Sequence, residues 1–82
     1  MTEQTRRALN ALSLPTAHLV WVDYRVFEGF MGWFVNTAES SDRLPDDVAA
    51  DVLRTGYMEL VEDVDYRRVY VISDDGRAAL VA

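Results

Sequence analysis

The run His18-Leu19-Val20-Trp21-Val22-Asp23-Tyr24-Arg25-Val26-Phe27-Glu28-Gly29-Phe30-Met31-Gly32-Trp33-Phe34-Val35 decides the fold. It is dense in Val, Trp, Tyr and Phe, which favour strands, and it carries two glycines, which weaken helices. It reads as two strands with a tight connection at Glu28-Gly29. Alternation then places Val20, Val22, Tyr24 and Val26 on one face, joined across the hairpin by Met31, Trp33 and Val35, and this face is expected to be core. The opposite face carries Trp21, Asp23, Arg25, Phe27, Phe30 and Phe34 and is too aromatic to be left wholly in water. Glutamate is a poor first residue for a two-residue turn, so a longer loop stays open. The competing reading is a helix, because Val20, Tyr24, Phe27, Met31 and Phe34 also fall at helical spacing.

Upstream, Thr2 to Ser13 reads as a short helix, with Ala8, Leu9 and Leu12 on one side and Glu3 and Arg7 four apart on the other. Thr2 is placed to cap it, and Leu14-Pro15 to end it. Downstream, Thr37 to Arg43 reads as a polar loop. Pro45 then opens a second helix running to about Thr55, closed by Gly56. Its buried stripe is Val48, Ala49, Val52 and Leu53, and its outward face is Asp46, Asp47, Ala50, Asp51 and Arg54. Tyr57 to Glu62 and Arg67 to Ile72 read as a hairpin, and Ser73 caps a closing helix. The expected class is α+β in a single domain spanning residues 1–82, with the order α-β-β-α-β-β-α.

With 82 residues, half of them apolar and 27% charged, the chain has the balance of one small globular domain. It has no cysteine, so disulfides and thiolate metal sites are excluded. No apolar run approaches the roughly 20 residues of a membrane span, and the N-terminus lacks the order of a signal peptide, so a cytoplasmic setting is expected. The net charge is −6. It is uneven: residues 42–82 carry five arginines against ten acids, and residues 1–41 carry three against four.

Helix, Gly56, hairpin and the closing Ser73-Asp74-Asp75-Gly76-Arg77-Ala78-Ala79-Leu80 together resemble the second half of a prokaryotic winged-helix domain. In that family the closing sequence is of the type Thr-x-x-Gly-Arg-x-x-Leu, so serine here replaces threonine. The resemblance implies that residues 45–55 form a recognition helix and residues 57–72 a wing. It also implies that Asp46, Asp47 and Asp51 face a nucleic acid. Those aspartates oppose phosphate, and in the wing Glu62, Asp63 and Asp65 cancel Arg67 and Arg68.

His18 is the only histidine, so neither a zinc site nor a Cys-His pair can be assembled from the usual ligands. No serine stands in a nucleophile-elbow sequence, and the acidic pairs lack the ligand count of a calcium loop. No catalytic residue, metal or cofactor is expected. The candidate partner-binding residues are Asp46, Asp47 and Asp51 on the second helix, and the aromatic set Trp21, Phe27, Phe30 and Phe34. The aromatic set serves equally as a surface buried by the first helix or as a homodimer contact. The leading expectation is a small acidic non-enzymatic protein that acts through protein–protein contacts, possible targets including a basic nucleic-acid-binding surface that it would occupy as an inhibitor. Phage-encoded antagonists of host defence, anti-CRISPR proteins among them, are similar in size, acidity and lack of motifs. The alternative is a winged-helix transcriptional regulator that binds DNA.

Overall fold

In the computed structural model, which describes residues 1–81, the Thr2 hydroxyl accepts the backbone N–H of Thr5 at 3.1 Å and starts helix α1, Glu3–Leu12. The chain then forms strands β1 (His18–Asp23), β2 (Met31–Asn36) and β3 (Ser41–Leu44), helix α2 (Asp46–Arg54), strands β4 (Met58–Val64) and β5 (Arg67–Ile72), and helix α3 (Asp74–Val81). The five strands make one antiparallel sheet in the order β3-β2-β1-β5-β4, with β1 at its centre.

The core lies between one face of this sheet and the α1–α2 pair. Leu9, Leu12, Leu19, Val35, Val48 and Val52 form it, with Trp33, Leu44, Met58, Tyr70 and Leu80 packed against them. Burying a side chain such as Leu9, which is wholly removed from water, contributes about 1.5–3 kcal/mol. That term is large against a total stability of about 4–12 kcal/mol for a chain of this length. Each helix boundary follows local chemistry. Pro45 immediately precedes α2, Gly56 leaves it at φ +76°, and the Ser73 hydroxyl accepts the Gly76 N–H at 3.0 Å to cap α3.

Residues 18–35 form the two strands expected and not the competing helix. Three other expectations are corrected. The supposed polar loop at residues 37–43 contains the start of an edge strand. Thr37 accepts the N–H groups of Glu39 and Ser40 on its hydroxyl and donates its own N–H to the Ser40 carbonyl, reversing the chain so that β3 pairs with β2. The element order is therefore α-β-β-β-α-β-β-α.

The third correction is one of register. The β1–β2 connection is not a two-residue turn. Asp23 accepts the Arg25 N–H and guanidinium, and the Tyr24 carbonyl accepts the N–H groups of Phe27, Glu28 and Gly29. The hairpin is closed only by Tyr24 N–H on the Phe30 carbonyl, at 2.8 Å. A turn at Glu28-Gly29 would set Val22 against Val35, whereas the chain sets Val22 against Gly32. A shift of three residues is odd, so it exchanges faces. Leu19 and Trp21, not Val20 and Val22, share the helix-covered face with Val35 and Trp33. Val26, expected in the core, is 90% exposed.

Candidate functional site

No helix among the described residues packs on the second sheet face. Its floor is Val20 and Val22 of β1 and Val69 of β5, and its walls are Tyr24, Phe30 and Phe34. Together they line an open groove of about 650 Å³. The aromatic rings form an arc. Phe34 meets Phe30 at 6.2 Å, Phe30 meets Tyr24 at 5.4 Å, Tyr24 meets Tyr66 at 6.0 Å, and Tyr66 meets Phe27 at 6.0 Å. Three of these contacts are edge-to-face, the arrangement that ring quadrupoles favour. The arc ends in water, with Phe27 72% and Tyr66 45% exposed.

Of the aromatic set expected to act together, the fold assembles Phe27, Phe30 and Phe34 and separates Trp21. Trp21 faces the helix layer, where it stands opposite Trp33 and lies under the Arg68 guanidinium at 5.0 Å. Sequence reasoning missed Tyr24, Tyr66 and Arg43. Tyr24 was assigned to the core by the wrong register, and Tyr66 lies in the β4–β5 turn. Arg43 belongs to the strand read as loop.

Arg43 ends one straight cross-strand row on the open face. The sheet pairing aligns Arg43 with Phe34, Phe34 with Val20, Val20 with Val69, and Val69 with Glu62. Its guanidinium lies 5.9 Å from the Phe34 ring centre and donates to the Met31 carbonyl at 3.0 Å. Among the described residues it has no carboxylate partner. At the far end of the row, Glu62 accepts the Arg67 Nε–H at 2.6 Å, and this bond raises the arginine's already high pKa further. The register shift between Leu60 and Glu62 sets Glu59, opposite Val71, on the same face, so Arg43 and Arg67 balance Glu59 and Glu62 there. The net charge of −6 therefore resides elsewhere.

Much of it lies on the helix layer. Asp46 and Asp47 are exposed in the first turn of α2, where the helix dipole favours acids. Asp51 is half-exposed and paired with Arg54. At the other end of the groove His18 stands opposite Asn36, whose Oδ1 accepts the Ser41 hydroxyl at 2.6 Å.

No family model, curated protein or solved structure matches this chain. Among the described residues no group of three or more acids or histidines is placed to hold a metal ion, and no helix is long and apolar enough to cross a membrane. Every buried side-chain nitrogen or oxygen among them has a hydrogen-bond partner. What the site presents is therefore an apolar, aromatic, charge-balanced surface, suited to contact with another surface of similar character.

Proposed function

We propose that this chain is a non-enzymatic binding domain that works through protein–protein contacts made by its open sheet face. The observation that carries this reading is the arc Phe34-Phe30-Tyr24-Tyr66-Phe27, which lies on a face that no helix among the described residues covers. Rigid aromatic side chains deliver large contact area at small cost in conformational entropy, which is why they anchor interfaces. The acidic turn of α2 supports a finer version. Asp46, Asp47 and Asp51 suit a partner with a basic surface, such as one that binds nucleic acid, which the domain would occupy as an inhibitor. The winged-helix likeness of residues 45–82 makes duplex DNA the competing partner, although the same aspartates oppose phosphate.

The test uses wild-type chain and Phe30→Glu as baits in lysate of the native host, with bound proteins identified by mass spectrometry. Phe30 is half-buried at the centre of the arc, so the substitution is expected to leave the domain folded and to remove the partner. Equal capture by both baits would defeat the reading. A salt-dependent shift of duplex DNA by the wild-type chain at physiological salt would favour a DNA-binding regulator instead.

A further inference from the structure

We propose that the open sheet face is closed by the same face of a second copy of this chain, in a two-fold dimer that sets Arg43 of each copy over Glu62 of the other. The inference rests on the reading of this face as a contact surface and names its occupant.

The cross-strand row carries the argument. It runs Arg43, Phe34, Val20, Val69, Glu62, from one edge of the sheet to the other, with a cation at one end and an anion at the other. The strand order places β1 at the centre of five. A two-fold axis running along β1 in the plane between two such faces turns the second sheet left for right. It brings β4 of the second copy over β3, β5 over β2, and β1 over β1. The row is thereby laid on itself in reverse. Arg43 meets Glu62, Phe34 meets Val69, and Val20 meets Val20. A pattern complementary to its own reversal is what an isologous interface requires, since every contact occurs twice. Sheets stacked in this way are an ordinary aligned sandwich, with strand directions within about 30° of each other.

Charge and size agree with this. The strand charges on the face cancel, while Asp46, Asp47 and Asp51 lie on the layer facing away, so the chain's net charge opposes association only weakly. Arg43 lacks a carboxylate partner of its own among the described residues and gains one in the dimer. Five strands of about six residues present a face of roughly 24 by 20 Å, so two copies remove about 1,000 Å² from water, at the low end for a specific interface. Phe27, Val61, Val64 and Tyr66, all exposed around this face, extend it.

The test is sedimentation and light scattering of the full chain at several concentrations, with charge exchange at the two ends of the row. Wild type is expected to be dimeric. Arg43→Glu and Glu62→Arg, each confirmed as folded by circular dichroism, are expected to raise the dimer dissociation constant at least about tenfold, because each places like charges together twice. An equimolar mixture of the two variants is expected to form a heterodimer, and the double variant to dimerise again. Single variants that remain fully dimeric, or a folded mixture and double variant that stay monomeric, would overturn the proposal. If Glu62→Arg does not fold, Arg43→Glu alone decides, and undiminished dimer mass defeats the idea. Wild type that stays monomeric up to about 100 μM at low salt also overturns it. In that case a partner still captured by wild type and lost with Phe30→Glu leaves the binding reading standing without the dimer. Equal capture by the two baits then removes the binding reading as well.

Discussion

The guanidinium of Arg43 occupies the space that a side chain on Gly32 would need: a Cβ added there would sit 2.7 Å from Arg43 Nη2 and 2.9 Å from its Cζ. The clashing atoms belong to the far end of a flexible side chain, so Gly32→Ala is expected to displace Arg43 rather than unfold the sheet. A glycine-to-alanine change within a strand recovers about 0.5–1 kcal/mol of backbone entropy, which offsets part of the disturbance. Thermal melting should shift by no more than a few degrees, while the dimer weakens. A variant that melts far lower with unchanged association would show that Gly32 serves packing alone.

Leu9 is wholly buried where α1 meets the sheet and α2. Leu9→Ala is expected to cost about 2–5 kcal/mol, from lost transfer free energy and the cavity left behind. Against a total of about 4–12 kcal/mol, this leaves a marginal domain. Urea unfolding should show a lower midpoint with an unchanged slope. A loss under about 1 kcal/mol would mean the core collapses around the gap.

The two surfaces are expected to be separable. Asp47→Lys together with Asp51→Lys places two cations on α2, removes the ion pair of Asp51 with Arg54, and sets one charge against the helix dipole. These changes cost about 1 kcal/mol in all. Binding to a basic partner should weaken and lose much of its salt dependence, whereas dimer mass should be unaffected, since α2 packs on the opposite face. A loss of the dimer in this variant would contradict that separation.

Acid should loosen the β1–β2 connection only after ordinary carboxylates have been protonated. The Arg25 side chain holds the Asp23 carboxylate through two hydrogen bonds of 2.8 Å and lowers its pKa below the usual carboxylate range, assisted by the Arg25 backbone N–H and charge and opposed by partial burial. Because the folded value lies below the unfolded one, the pair's contribution is fully present above the unfolded pKa. It is lost as pH falls through the folded value. Carboxyl NMR titration should place the Asp23 midpoint below that of a free aspartate, and Arg25→Ala should move it upward. An identical midpoint in both proteins would remove Arg25 as the cause.

Much of the local structure was legible in the sequence because its causes are local. Thr2 and Ser73 as caps, the buried stripe of α2, Gly56 after it and the 58–72 hairpin each depend on residues a few positions apart. Strand β3 was not legible. Ser41-Asp42-Arg43-Leu44 has no apolar alternation, because an edge strand with an arginine on its open face needs only Leu44 to reach the core. The aromatic grouping was half legible: Phe27, Phe30 and Phe34 come together in one arc as expected, while Trp21 lies on the other face.

The sequence by itself pointed to two strands flanking Gly29, through its β-branched and aromatic content, and within that reading alternation set Phe30 and Phe34 on the face opposite Trp33 and Val35. Only the tertiary structure decided which face of β1 was which. That choice turned on the number of residues in one loop, set by the hydrogen bonds of Asp23 and Tyr24. With a side-chain period of two, an odd change in register reverses every residue of the strand at once. It was likewise the five-strand order, built from pairings between residues far apart in the chain, that set Arg43 and Glu62 at opposite ends of one row.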